Sequence, residues 1–209
     1  GSNADAVLTG ALPATTAPNP TLLGLQGVDQ IALGVRHACA RSGGAVSCWG
    51  SNAEAGVSSA DPAPVAGLSG VSFIAVGESH SCAVTSPAGE VWCWGRGDEG
   101  QLGDAMGSGS TTPVRVRDDG GSFLSGAAGV ALGQRHACAW SGGGAAWCWG
   151  ENQKGQVGNG SMADADAAFA VAGLSGVTEM VAGSEHTCAR LAGGEVRCWG
   201  ENTSGQTGD

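Results

Sequence analysis

The apolar positions of this chain fall in short runs, without the long i, i+3, i+4 stripe that marks an amphipathic helix. Val28–Leu33, Val71–Val76, residues 130–132 and residues 177–181 are apolar or alternating, and a glycine follows each, at 34, 77, 133 and 183. Short runs rich in Val and Ile and bounded by glycine predict strands. Upstream lies a second short run closed by a Gly-Leu-x-Gly turn, as in Val65-Ala66-Gly67-Leu68-Ser69-Gly70 and Val171-Ala172-Gly173-Leu174-Ser175-Gly176, with Leu22-Leu23-Gly24-Leu25-Gln26-Gly27 at the start. The third unit is looser: it keeps Pro113-Val114-Arg115-Val116 but places Ser125-Gly126-Ala127-Ala128-Gly129 where the turn stands elsewhere. Downstream, Arg36-His37-Ala38-Cys39-Ala40, then Ser42-Gly43-Gly44, then Ala45-Val46-Ser47-Cys48-Trp49 reads as a hairpin, with glycine where a tight turn needs positive φ. Each unit is therefore expected to open on a short strand, turn, and run through three more.

The hairpin carries a motif that recurs four times: His-x-Cys-Ala, a polar turn, then Cys-Trp-Gly and a glycine-rich exit. The copies sit at His37/Cys39/Cys48/Trp49, His80/Cys82/Cys93/Trp94, His136/Cys138/Cys148/Trp149 and His186/Cys188/Cys198/Trp199. The histidines are 43, 56 and 50 residues apart, and periods of this size belong to solenoids, propellers and arrays, whose units bury their apolar faces on one another. Four short antiparallel strands per unit with frequent glycine predict an all-β fold of β-propeller type, built from four repeat units of about 50 residues. The units are placed at about residues 20–59, 60–110, 111–165 and 166–209. Residues 1–19, rich in Pro, Thr and Ala, read as a linker or processed segment, with Gly1 to Ala4 as residues left by cloning.

Eight cysteines in four matched pairs, with none left over, point to an oxidising compartment: extracellular medium, cell surface or periplasm. Directly opposed residues on antiparallel strands lie within disulfide reach, so the pairing expected is Cys39–Cys48, Cys82–Cys93, Cys138–Cys148 and Cys188–Cys198. The competing reading is a metal site of one His and two Cys per unit. It fails to supply a fourth ligand in any of the four copies, and no Cys-x-x-Cys supports redox chemistry. No cofactor or metal is expected.

The net charge of −10, with Lys154 as the single lysine, gives no basic stripe for phosphate contacts and argues against nucleic acid. No run of 18 apolar residues is present to span a membrane as a helix. No Gly-x-Ser-x-Gly, P-loop or His-Glu-x-x-His occurs, so an enzyme is not expected. The recurring histidines read as structural, each ring hydrogen-bonded to a neighbouring strand's backbone. Trp49, Trp94, Trp149 and Trp199 alternate to the face opposite the cysteines and read as packing between units. Trp92, Trp140 and Trp147 are not repeated, which makes them the candidates for ligand contact, as an aromatic platform for a glycan. Asp104, Asp118 and Asp119 lie on the longest irregular segments, where binding residues collect.

These repeats resemble the regulator of chromosome condensation (RCC) repeat family, whose blades run Val-x-x-Val-x-x-Gly-x-x-His-x-x-Ala and end Trp-Gly-x-Asn-x-x-Gly-Gln-Leu-Gly. Residues 177–208 carry that order, and residues 71–103 carry it with Arg96-Gly97 after Trp94-Gly95. Ala55-Gly56-Val57-Ser58 departs from Gly-Gln-Leu-Gly, and the cysteine pairs depart from intracellular relatives, which makes the chain look like the bacterial extracellular branch. The resemblance implies a propeller, usually of seven blades. Four units then form either a four-bladed ring or an arc of a larger ring, with self-association following if the ring is incomplete. It further implies a secreted or cell-surface module that binds a protein partner through blade-connecting loops, as a secreted inhibitor of β-lactamases in the family does. A carbohydrate-binding module is the alternative, and a hydrolase with a loop-built site a more distant one.

Overall fold

The structure, a computed structural model, describes residues 22–208; the expected linker of residues 1–19 lies outside the described residues. Four antiparallel sheets follow one another. The first is β1 (Val28–Leu33), β2 (His37–Ser42), β3 (Ala45–Gly50) and β4 (Ala63–Pro64). The second is β5 (Val71–Val76), β6 (His80–Thr85), β7 (Glu90–Gly95) and β8 (Ser110–Arg115). The third is β9 (Ala127–Leu132), β10 (His136–Ser141), β11 (Ala146–Gly150) and β12 (Ala165–Ala170). The fourth has three strands, β13 (Val177–Ala182), β14 (His186–Leu191) and β15 (Val196–Gly200).

These are the blades of a β-propeller, and they correct the expected strand order. The short strand before each Gly-Leu-x-Gly turn does not open its own unit. It closes the sheet before it: β4 pairs with Ser47 and Cys48, β8 with Trp92 and Cys93, β12 with Trp147 and Cys148. The free edge nearest the chain as it leaves an exit loop is that of the third strand just completed, and pairing there satisfies that strand's outward backbone groups. The fourth blade accordingly has no outer strand among the described residues.

The hairpin register is the one expected. Cys39 opposes Cys48, Cys82 opposes Cys93, Cys138 opposes Cys148 and Cys188 opposes Cys198. All four pairs are disulfides, with Cα atoms 4.0–4.1 Å apart, at the narrower of the two pair types in an antiparallel ladder. Side chains alternate about this register. The cystine face of the first blade, Cys39, Cys48 and Val46, packs on Val71, Ile74 and Val76 of the second. The tryptophans lie on the other face: Trp94 in that same cluster with Val57 of the preceding exit, and Trp149 with Leu102. Trp149 Nε1 donates to the Gln101 carbonyl at 2.9 Å and Trp199 Nε1 to that of Gln156 at 2.9 Å. Where the first exit departs from Gly-Gln-Leu-Gly, the Trp94 indole N–H finds no such partner among the described residues.

Two of the histidines join blades too, through hydroxyls rather than the backbone. His37 Nε2 lies 2.8 Å from Ser81 Oγ of the second blade, and His136 Nε2 2.8 Å from Thr187 Oγ1 of the fourth. Thr187 donates its proton to the Gln156 carbonyl, so it accepts from His136, which fixes the Nε2–H tautomer. In the second, third and fourth blades the imidazole also explains the glycine three residues earlier. A Cβ on Gly133 would run into the His136 ring and stand 2.5 Å from the Gly183 carbonyl; this position needs the absence of a side chain, not an unusual φ. Gly150, after Trp149, needs both, with φ +100 and a Cβ position 2.5 Å from the Arg135 carbonyl.

In the second blade the hydroxyl is missing. Ala137 occupies the place that Ser81 and Thr187 hold elsewhere, and His80 Nε2 is buried with no hydrogen-bonded hydroxyl among the described residues. Ala137→Ser supplies it and is expected to stabilise the protein by about 0.5–1.5 kcal/mol, read as a rise in thermal midpoint; no rise would mean that the His-to-hydroxyl contact contributes nothing.

Burial also sets how the fold responds to acid. It pushes the imidazoles of His37 and His136 from the usual 6.5 to about 4. His80 falls to about 3, through burial first and then the neighbouring His136 and His37 charges. These rings are neutral when folded and take up protons more readily when unfolded. Their contribution is intact above about pH 6.5 and is lost as pH falls toward the folded values, at about 1.4 kcal/mol per pH unit for each histidine. Urea unfolding between pH 7 and pH 4.5 should show this decline under oxidising conditions, and a flat profile would refute it.

Candidate functional site

The exit of the second blade and the connection to the third build an irregular surface. The backbone there is tightly held. Arg117 N donates to the Gly103 carbonyl, Ala105 N to Asp166, Ala168 N to Arg117 and Asp119 N to Ala168. Asp104 bridges to Ala167 and Asp118 to Ala168, so both segments are pinned to β12 of the third blade. Asp118 closes its own turn, its Oδ1 accepting from Ser122 N at 2.8 Å. Ala105 is the one non-glycine with positive φ among the described residues, at 65°. It lies between the pinned Asp104 and the exposed Met106.

That scaffold presents apolar side chains outward. Leu124 and Val116 are buried beneath it, while Phe123 is 43% and Met106 74% exposed. The Arg115 guanidinium carbon stands 4.1 Å from the Phe123 ring centroid and that of Arg117 4.2 Å, so one ring holds two cations. Neither is unanchored: Arg115 Nη2 donates to Glu90 Oε1 at 2.7 Å and Arg117 Nη1 to the Gly121 carbonyl at 2.9 Å. Between Asp104, Met106, Val114, Arg115, Arg117 and Phe123 lies an open depression of about 270 Å³. An aromatic ring, a thioether and two arginines already fixed in place match the composition of protein-binding surfaces.

Of the ligand-contact candidates, Asp104, Asp118 and Asp119 are thus brought onto one surface, with Asp104 at the depression and the other two holding its rim. The tryptophans are not gathered there. Trp140 is only 9% exposed and stands edge-on to Phe73 of the second blade, centroids 5.8 Å apart, so it packs rather than presents a platform. Trp147 is half-buried against the same core. Trp92 is half-buried with Arg115 5.6 Å from its ring centroid. Met106, Arg115, Arg117 and Phe123 went unmarked in the sequence. The available signal was the break in the repeat itself, since residues 104–124 hold the stretch in which the Gly-Leu-x-Gly spacing is lost.

A second polar cluster lies near the glycine exits, where Arg135 reaches Glu99 at 2.9 Å, Glu78 at 3.6 Å and Glu151 at 3.9 Å. Burial, followed by the Glu99 charge, raises the Glu151 carboxyl above its usual range. Arg135 ties the third blade to the second here, which accounts for the cluster without a ligand. All eight cysteine sulfurs are in disulfides, so the His-x-Cys rows offer a metal no thiolate.

A family model described as regulator of chromosome condensation (RCC1) repeat matches residues 71–101 and 177–206. Another of the same description matches residues 88–140 and 143–190; together they span nearly two thirds of the chain. Protein RCC2 homolog of Danio rerio is 32% identical over 82 residues, 39% of this chain and 16% of that protein. Among solved structures, human WBSCR16 superposes with a TM-score of 0.82 at 22% identity, covering 96% of this chain and 55% of that one. Yeast RCC1 (Prp20), solved with Kap60 bound to it, gives 0.72 at 23% identity, covering 88% of this chain and 45% of that one. These structures share the fold, and the chain spans about half of their length and about a sixth of the curated relative.

The two kinds of aromatic should separate in stability. Trp140→Ala removes a buried ring and is expected to cost about 3–5 kcal/mol, whereas Phe123→Ala at the surface should cost below about 1 kcal/mol. Denaturant unfolding of both variants checks this, and equal losses would contradict the assignment of Phe123 as a presented side chain.

Proposed function

Because the chain belongs to the regulator of chromosome condensation (RCC1) repeat family, we propose that it is a non-catalytic interaction module, which binds a protein partner through the loops between its second and third blades. The observation that carries this reading is the preformed surface of Phe123, Met106, Arg115 and Arg117. Its side chains are exposed while its backbone is pinned, so little conformational freedom is lost on binding. Phe123 and Met106 supply the apolar anchor, and the two guanidiniums flanking the ring supply directional donors to a partner's carboxylates or carbonyls. Yeast RCC1 (Prp20), which shares this fold, is a protein to which a protein partner, Kap60, binds.

The proposed setting lies outside the reducing cytosol, at the cell surface, in the medium or in a periplasm. Four disulfides support it, and among the described residues no helix is long and apolar enough to cross a membrane. A net charge of −10 disfavours nucleic acid as the partner.

The test is affinity capture from an extracellular fraction with the oxidised protein, followed by identification of the retained protein and titration against variants. Phe123→Ala and Met106→Ala are each expected to weaken the captured complex at least tenfold, that is by about 1.4 kcal/mol or more, while Trp147→Ala leaves it within a fewfold. Binding that ignores both loop variants would overturn the loop assignment. Retention on a glycan array that is lost in Trp92→Ala would favour the carbohydrate-binding alternative, and turnover of a substrate by the purified protein would overturn the non-catalytic reading.

A further inference from the structure

The second and third blades are joined along their outer strands by backbone hydrogen bonds. Ala168 N donates to the Arg117 carbonyl at 2.8 Å, and the outward carbonyls of Asp166 and Ala168 accept from Ala105 N at 2.9 Å and Asp119 N at 3.2 Å. Extended chain thus fills the space between those two sheets. The first and second blades have the same parts without this closure. Val114 opposes Cys93 as Phe169 opposes Cys148, so Thr111 and Pro113 of β8 hold the places of Asp166 and Ala168. Ala66 holds the place of Arg117, each following a valine whose N–H donates to the third strand of its own blade, Val65 to Val46 and Val116 to Val91. Pro113 has no N–H to give the Ala66 carbonyl. Among the described residues no backbone N–H from outside the sheet reaches the carbonyl of Thr111 or Pro113. The first outer strand also falls short, since β4 is two residues long where β8 and β12 are six. What remains is a cleft of about 250 Å³, with Val57, Ser58, Pro64 and Val65 on one side and residues 111–113 on the other.

We propose that this cleft receives an extended peptide segment of a protein partner. The segment lies along the edge of β8, donates alternate N–H groups to the Thr111 and Pro113 carbonyls, and turns an uncharged apolar side chain into the cleft. The inference rests on reading the neighbouring Phe123 surface as a docking face, and it names the form of the partner there. β8 runs through both places, supplying Thr111 and Pro113 to the cleft and Val114 and Arg115 to the depression beside Phe123. The matching space one junction further on is filled by extended backbone of this same chain, at Ala105 and Asp119. Carbonyls at alternate residues ask for donors at the spacing of an extended strand, and an unpaired strand edge is a template for one. No charged side chain lines the cleft, in a chain of net charge −10. Its volume also falls below the roughly 300–1,000 Å³ of small-molecule sites. An apolar side chain of a paired strand therefore suits it better than a cofactor or an ionic group.

A displayed library of random linear peptides, panned on the oxidised protein, tests this. The retained peptides should share an uncharged apolar residue. Their affinity should fall at least tenfold on Ser58→Trp, which fills the cleft from an exposed position. Circular dichroism and the thermal midpoint check that this variant keeps its fold. N-methylation of a retained peptide gives a second readout that leaves the protein untouched. Methyl groups on alternate backbone nitrogens should weaken binding at least tenfold, and those on the intervening nitrogens should leave it within a fewfold. A library from which nothing is retained would overturn the proposal, as would peptides that tolerate every N-methylation. Peptides lost in Phe123→Ala but kept in Ser58→Trp would overturn the cleft and leave the Phe123 surface standing. Loss in Ser58→Trp without loss in Phe123→Ala upholds the cleft, whatever becomes of the Phe123 surface.

Discussion

No blade of this protein can bury its own faces. Each sheet is one layer thick, and the surface around its cystine is apolar and assembled from small side chains, so water is excluded only when the next blade lies directly on it. Close approach is the condition for everything else. It explains why alanine lines β2, β6, β10 and β14, and why glycine stands where an imidazole crosses from the next turn. It also accounts for hydroxyls on one blade meeting histidines on the one before. The disulfides act within this constraint. Each ties a hairpin of 9–11 residues' separation, limiting the unfolded chain while adding a compact apolar group at the centre of the packed face.

Once the blades are fixed by one another, the segments between them are released from the repeat. The connection from second to third blade uses that latitude most. It runs along the third blade's outer strand through backbone hydrogen bonds, so that a stretch without regular structure is held as firmly as a strand. Rigidity of the backbone and exposure of Phe123 and Met106 therefore occur together, and the two arginines are held by Glu90 and Gly121 rather than swinging in solvent. An exposed surface of this kind costs the blades nothing, because the buried residues beneath it, Val116 and Leu124, complete the core on their own.

The same packing rule leaves the ends of the arc unequal. The first blade has its tryptophan packed against Leu23 and Leu25, while Ile31 and Leu33 of its inner strand are exposed. The fourth blade has neither an outer strand among the described residues nor a neighbour over Val181 and Val196.

The periodic sequence determined the strands, the hairpin register, the pairing of all eight cysteines and the family, because each depends on residues close together or on spacing that repeats. It also marked Asp104, Asp118 and Asp119 through the length of their loops. Only the tertiary structure decided that the strand before each Gly-Leu-x-Gly turn belongs to the previous sheet, since hydrogen bonds to one edge or another leave the same hydrophobic pattern. It alone buried Trp140 against Phe73 of another blade and gathered Arg115, Arg117, Phe123 and Met106. Those outcomes rest on contacts between loops and neighbouring blades that obey no period, and a repeat can encode what every copy shares but not what one copy does differently.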